Sequence, residues 1–360
     1  MSRVLHIKKV DGKPGEVYYP LQIKTVDKPT PGENELLVRL TAAALNHRDL
    51  FIRHHQYPAI SFSAPMLADG CGVVEAVGPS STRRDLQGKR VVLTPMRGWE
   101  SDPETPESGM VPVTGSTTLT DVGCAQDYVV VHESEVELMP SHLSPVEGAA
   151  LPLCGLTGWR ALVTKTNAAA PGKNILVTGI GGGVALNILQ FGVAFGANVY
   201  VTSGDQAKID KAKTMGAKGG VRYKDKDWEK QLKAMLPRDR PYLDAVVDGA
   251  GGEVVAKSVK LLKAGGIISQ YGMTVGPKMN WLMSAVLNNI ELRGTTMGSK
   301  REFRDMIAFV GQHSIKPVVS QTVKGLDNLH GIDGLFADME AGKQFGKLVV
   351  EIATDASPKL

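Results

Sequence analysis

One stretch, Val177-Thr178-Gly179-Ile180-Gly181-Gly182-Gly183-Val184-Ala185, restricts what this chain can fold into more than any other. It follows the apolar run Ile175-Leu176-Val177-Thr178 and opens a helical pattern that reaches Phe195. Glycines crowded between a strand and a helix allow a tight turn, close approach of backbone to a ligand, and packing of helix against strand. The pattern then continues on schedule. A strand is expected at Asn198–Thr202, a helix at Asp205–Met215, and further strands at Leu243–Val247 and Gly266–Gln270. Apolar strands separated by helices specify an α/β fold with a doubly wound parallel sheet.

Amide groups at a helix N-terminus face outward, and the helix dipole there favours negative charge. A glycine turn in this context is predicted to hold the pyrophosphate of a nicotinamide dinucleotide, with Gly179, Gly182, Gly183 and Val184 lining it. The alternative is a tight strand-to-helix turn with no ligand. The end of the second strand bears on which dinucleotide. A carboxylate there holds a ribose 2′-hydroxyl, whereas this chain has Thr202-Ser203-Gly204 with Lys208 just beyond. A hydroxyl at Ser203 and an ammonium at Lys208 suit a 2′-phosphate, so NADPH (NADP) is the expected cofactor. Asp205 would argue for NAD if it folded back to the ribose, and Lys208 reads equally as a solvated helix residue. Gly249 and Tyr271, which follow the third and fourth strands, are counted with the cofactor residues.

The first ~135 residues read differently, as short Val-rich runs bounded by Pro, Gly and Asp: Leu36–Leu40, Gly72–Val77 and Arg90–Leu93. Between Met96 and Val122 lies a long loop of Pro, Gly, Ser, Thr and acidic residues. After about Gly298 a helical stretch leads to a last strand, Lys347–Ile352, expected to return to the first domain. The expected division is 1–139, completed by 299–360, and 140–298. With 41 Lys and Arg against 37 Asp and Glu, interleaved, no basic stripe tracks a nucleic acid. No run of about 18 apolar residues crosses a membrane, and the N-terminus lacks the apolar segment of a secretory signal. Three widely spaced cysteines suit a reducing compartment and no disulfide framework. The expectation is cytoplasmic, with a Pro358-Lys359-Leu360 terminus related to the peroxisomal Ser-Lys-Leu address.

The segments Asn46-His47-Arg48-Asp49, Asp69–Gly78, Ala149–Trp159, the glycine turn and Phe345–Val349, taken in order, resemble the medium-chain dehydrogenase/reductase superfamily. The resemblance covers nearly the whole chain and is nearest to a zinc-independent, quinone-oxidoreductase-like member. It implies a GroES-like barrel plus a Rossmann domain, an active site in the cleft between them, and a homodimer joined through the edge strand Ile290–Gly294. It also implies roles. Thr157 would meet the nicotinamide-side phosphate, Tyr223 the adenosine end, and Lys347 the cofactor from the returning strand. Tyr223 alternatively reads as a half-buried strand-end aromatic.

Zinc-holding alcohol dehydrogenases of that superfamily place a Cys, a His and a second Cys where this chain has Asn46, Ala68 and Cys154. One thiolate does not make a three-ligand catalytic site, and the Met96–Val122 loop has no cysteine for a structural zinc. The expectation is therefore no metal, Cys154 serving as a small buried residue. Hydride transfer to an electrophilic small molecule, a quinone, enone or other activated carbonyl or alkene, remains as the chemistry of an NADPH-dependent reductase. Asn46 is the expected hydrogen-bond donor near the acceptor, or else a turn residue, and Asp49 is expected to brace its loop. Phe51 and Ile52 stand where several reductases that this chain resembles carry a tyrosine. Two rivals remain: a non-catalytic NADPH-binding partner protein, and a degenerate alcohol dehydrogenase with zinc improvised from His47, His54, His55 and Asp69.

Overall fold

The computed structural model describes residues 1–352 and divides the chain into two compact units, one of Met1–Cys154 with the segment from Ser299, the other of Gly155–Gly298. The Pro-Lys-Leu terminus lies outside the described residues. In the first unit, β1 (Ser2–Ile7) pairs with β2 (Leu21–Val26). β3 (Glu35–Ala44) leads into α1 (His47–Arg53), followed by β4 (Asp69–Val77), β5 (Arg90–Leu93), β6 (Tyr128–His132), β7 (Val136–Leu138), α2 (Pro145–Ala149) and the start of α3 (Pro152–Trp159), whose residues from Gly155 belong to the second unit. β3 organises this unit because its alternating Leu36, Val38 and Leu40 are fully buried. One edge of β3 pairs with β4, and register shifts at Leu37/Val38 and Leu40/Ala42 bend it there.

The long loop has no regular element, yet it is tied down by backbone bonds such as Arg97 N to Pro112 O (3.0 Å) and Thr114 N to Pro95 O (3.0 Å). Trp99 within it is buried. α2 packs on β3 and β4, which is why the first unit extends to Cys154, later than the 139/140 junction read from the sequence rhythm.

In the second unit the chain alternates strand and helix: β8 (Asn174–Val177), α4 (Gly183–Ala194), β9 (Asn198–Ser203), α5 (Gln206–Thr214), β10 (Gly219–Arg222), α6 (Trp228–Met235), β11 (Leu243–Asp248), α7 (Val254–Ser258), β12 (Leu262–Gln270), α8 (Met283–Leu287) and β13 (Glu291–Gly294). The sheet order is β10-β9-β8-β11-β12-β13, and every pairing is parallel. That is a doubly wound α/β sheet, with its switch point between β8 and β11. β10 escapes the apolar pattern because it is Gly219-Gly220-Val221-Arg222. Its glycines are needed for packing: a Cβ on Gly220 would stand 2.7 Å from Ile209 and from Val201.

Glu229 on α6 is nearly buried and accepts from Lys257 (3.0 Å) and Lys260 (3.1 Å). Burial pushes its pKa up, but its own backbone amide and the two ammoniums outweigh that and hold it at about 2. Folding therefore lowers this pKa, so its stabilisation is full above the ordinary carboxylate range and is lost as pH falls toward about 2. Glu229→Gln is expected to melt below wild type at pH 7, and thermal melts should show that gap closing through this acid window.

The chain then returns to the first unit through α9 (Lys300–Gln312), β14 (Val319–Lys324), α10 (Leu329–Glu340) and β15 (Lys347–Glu351). β15 pairs antiparallel with β3 and parallel with β14. β14, a largely exposed edge strand of mixed polarity, was hidden within the helical stretch expected after Gly298. Among the described residues no helix is long and apolar enough to cross a membrane.

Candidate functional site

The C-terminal ends of β8, β9, β11 and β12 carry most of the residues expected to bind a cofactor. Beyond β8, Gly179 (φ +65°) and Gly181 (φ +130°) take backbone conformations that favour glycine. Gly182 is the N-cap of α4, and no side chain caps that end of the helix. The first-turn amides of α4, from Gly183 and Val184 onward, thus lack intrahelical acceptors and a capping side chain. Lys208, from the first turn of α5, lies against Gly181: a Cβ there would stand 2.9 Å from its Cδ and 3.4 Å from its Nζ. Burial lowers the Lys208 pKa, and Asp205 opposes that.

Asp205 stands at the start of the same helix. It is the N-cap of α5, where its carboxylate accepts from Ala207 N at 2.9 Å, while its own amide donates to Ser203 Oγ at 3.2 Å. Ser203 is buried at the end of β9. Tyr223 donates its amide to Ser203 O (3.0 Å), and its ring lies over Gly204, where a Cβ would stand 2.7 Å from the phenol oxygen. Gly249 and Tyr271 touch each other; a Cβ on Gly249 would meet the ring at 2.5 Å. Beneath them Asp248 accepts from Gly251 N (2.7 Å), Gln270 Nε2 (2.6 Å) and the Thr178 hydroxyl. Thr157 is buried, its hydroxyl against Met297 Sδ at 3.8 Å.

The first unit holds a second, buried polar cluster. Asn46 caps α1, and the Asp49 carboxylate accepts the Asn46 amide at 2.7 Å, so Asp49 braces the entry to that helix. Burial pushes the Asp49 pKa up, opposed by Arg48 and by the Asn46 amide. Arg48, which sequence reasoning passed over, ties the same helix to the long loop through Thr114 O (2.9 Å) and Gly115 O (3.0 Å). At the centre is Lys347, the first residue of β15. Its ammonium donates to Asn46 Oδ1 (2.6 Å) and Asp69 Oδ2 (2.8 Å) and approaches Cys154 Sγ at 3.6 Å. Asp69 also accepts from Asn46 Nδ2 (2.9 Å) and Leu153 N (2.8 Å). All four side chains are buried, Asp69 completely. The arrangement fixes the Asn46 amide: its oxygen faces an ammonium, which only donates, and its nitrogen faces a carboxylate, which accepts.

Sequence reasoning named Asn46, Asp49 and Lys347 separately, the last as a cofactor contact; the fold gathers them around Asp69. In the sequence Asp69 stood out as the head of the Asp69–Gly78 segment and as one of the residues of an improvised zinc site. Burial pushes the Cys154 thiol up, against a lowering by Lys347. A catalytic zinc does not fit these donors. Asn46, Ala68 and Cys154 supply one thiol, and among the described residues no three His, Cys, Asp or Glu side chains are grouped to hold a metal ion.

Residues 32–141 match the family model described as alcohol dehydrogenase GroES-like domain, and residues 183–312 the one described as zinc-binding dehydrogenase. A zinc-type alcohol dehydrogenase-like protein, YogA, of Leptosphaeria maculans is 58% identical over 98% of this chain and 100% of its own length. A solved NAD-dependent alcohol dehydrogenase superposes with a TM-score of 0.83 at 29% identity, over 98% of this chain and 100% of that one. A crotonyl-CoA carboxylase/reductase, AntE, solved in complex with NADP, shares the fold at a TM-score of 0.79 and 20% identity, covering 98% and 94% of the two chains.

Proposed function

The chain belongs to the medium-chain dehydrogenase/reductase superfamily, as an oxidoreductase of the alcohol-dehydrogenase-like kind, and we propose that it is an NADPH-dependent reductase working without a metal. In this account the acceptor is an activated carbonyl or alkene, such as a quinone or enone. The observation that carries the cofactor choice is the pairing of Lys208, laid against Gly181, with Asp205, one of whose carboxylate oxygens caps the N-terminus of α5. A 2′-phosphate would gain a cation there.

NADPH, when bound, supplies the hydride. Gly179, Gly182, Gly183 and Val184 would hold its pyrophosphate, with Ser203, Lys208 and Tyr223 at the adenosine end and Thr157, Gly249 and Tyr271 completing the cofactor surface. Asn46 is the proposed donor to the acceptor oxygen. One of its Nδ2 hydrogens is spent on Asp69, and an amide nitrogen carries two. Loss of NADPH absorbance against a panel of quinones, alkenals and cyclic enones tests the proposal, and turnover of at least one class is expected. Tight NADPH binding with no turnover of any would favour the non-catalytic NADPH-binding protein instead.

A homodimer is also proposed. β13 bonds to β12 and to no other described strand, leaving the sheet edge open. On β13 and in the segment leading to it, Val275, Trp281, Met283, Val286, Leu287 and Leu292 are exposed. A second copy pairing edge to edge would cover both. Sedimentation is expected to give twice the 38.5 kDa chain mass, and the double variant Leu287→Asp/Leu292→Lys is expected to sediment as monomer. A monomeric wild type would remove the proposal.

A further inference from the structure

We propose that the Lys347 ammonium is the resident cation of the first unit's buried cluster, standing where a zinc ion would otherwise be held and keeping one out. Two of the three positions that would carry zinc ligands, Asn46 and Cys154, are instead the ammonium's neighbours, at 2.6 and 3.6 Å. A thiolate holds zinc at about 2.3 Å. Any such ion on Cys154 would share the space of a buried positive charge whose counterion, Asp69, is already bonded at 2.8 Å. The family model described as zinc-binding matches residues 183–312, which contain none of Asn46, Ala68 or Cys154.

The ammonium is also a positioning residue. By holding Asn46 Oδ1 it turns the amide so that Nδ2 is the donor on offer, and it places a fixed positive charge behind that donor. This second role rests on the proposed reductase reading; the exclusion of zinc does not. During reduction the hydride adds to the acceptor carbon and the displaced electron pair settles on its oxygen. The Asn46 N–H, with Lys347 behind it, stabilises that oxygen, and water supplies the completing proton.

Two arms test the two roles apart. In the first, the full chain is dialysed against zinc alone, freed of excess, and assayed for metal. Wild type is expected to retain far less than one equivalent. The variant Asn46→Cys/Ala68→His restores a Cys, His, Cys donor set, and adding Lys347→Met to it is expected to tighten zinc binding about 10-fold or more. Stoichiometric zinc on wild type, or equal zinc affinity with and without Lys347, overturns the exclusion. The second arm uses the charge-neutral pair Asp69→Asn/Lys347→Met, with circular dichroism confirming the fold. On the acceptor turned over best by wild type, kcat is expected to fall about 100-fold while the Kd for NADPH moves less than about threefold. A weakened NADPH Kd with kcat preserved would make Lys347 a cofactor contact and overturn the positioning role. Failure of the reductase reading shows as a wild type without turnover, and leaves the zinc arm standing.

Discussion

Replacing Asp69 with alanine is expected to lower the melting temperature of the protein by roughly 6–20 °C. The carboxylate is fully buried and accepts three hydrogen bonds, from Lys347, Asn46 and Leu153. Removing it leaves an ammonium in the interior without the carboxylate it is bonded to. Breaking one partner of a buried pair typically costs about 3–5 kcal/mol, and in a unit of this size each kcal/mol shifts the midpoint by about 2–4 °C. The expectation has a built-in control. If the loss comes from the orphaned charge, Asp69→Asn/Lys347→Met, which removes both charges, should recover at least half of it. If the single and double variants melt together, the packing and backbone contacts of Asp69 matter more than its charge.

The Lys347 ammonium adds an alkaline counterpart. Burial lowers its pKa, but Asp69 and Cys154 more than compensate, so that folding raises it. A group raised on folding contributes fully below its unfolded pKa and loses that contribution as pH climbs through the folded value. The stability difference between wild type and the charge-neutral pair is thus expected to change in alkali, above the ordinary lysine range.

Replacing Lys208 with alanine is expected to weaken NADPH binding by about 10- to 100-fold while changing NADH binding less than about threefold. The magnitude follows from losing one charge-assisted hydrogen bond to a phosphate, worth about 1.5–3 kcal/mol. Selectivity follows because NADH has no 2′-phosphate to lose. Lys208→Glu should go further and invert the preference, since a carboxylate there would repel the phosphate. Fluorescence titration of both dinucleotides against wild type and the two variants measures this. Equal losses for NADPH and NADH would place Lys208 on the pyrophosphate, which both cofactors share, close to Gly181 where the side chain lies.

The second unit was legible because its constraints are local. A turn that must take positive φ and admit a helix N-terminus is written directly as Gly179 to Gly183, and strands buried on both faces, such as Ile175–Val177 and Leu243–Val247, read as unbroken apolar runs. β10 and β14 were illegible for the opposite reason. The first is led by glycines that pack beneath α5, and the second is an exposed edge with little apolar signal. The candidate site divided the same way. Asn46 and Asp49 interact across three residues and form a helix-start pattern. Lys347 and Asp69 lie 278 residues apart, and no local rule connects them. Only the return of β15 to β3 brings that ammonium to Asn46, and that return makes one charged cluster of residues that the sequence offered singly.

The most direct measurement is label transfer from NADPH carrying deuterium at the transferable position of its nicotinamide, using protein dialysed against a chelator and the acceptor turned over best. Metal-free, NADPH-dependent transfer places deuterium on the acceptor carbon at an undiminished rate after chelation. Transfer that stops on chelation and returns only with added zinc would contradict it, as would labelled NADH donating as well as labelled NADPH.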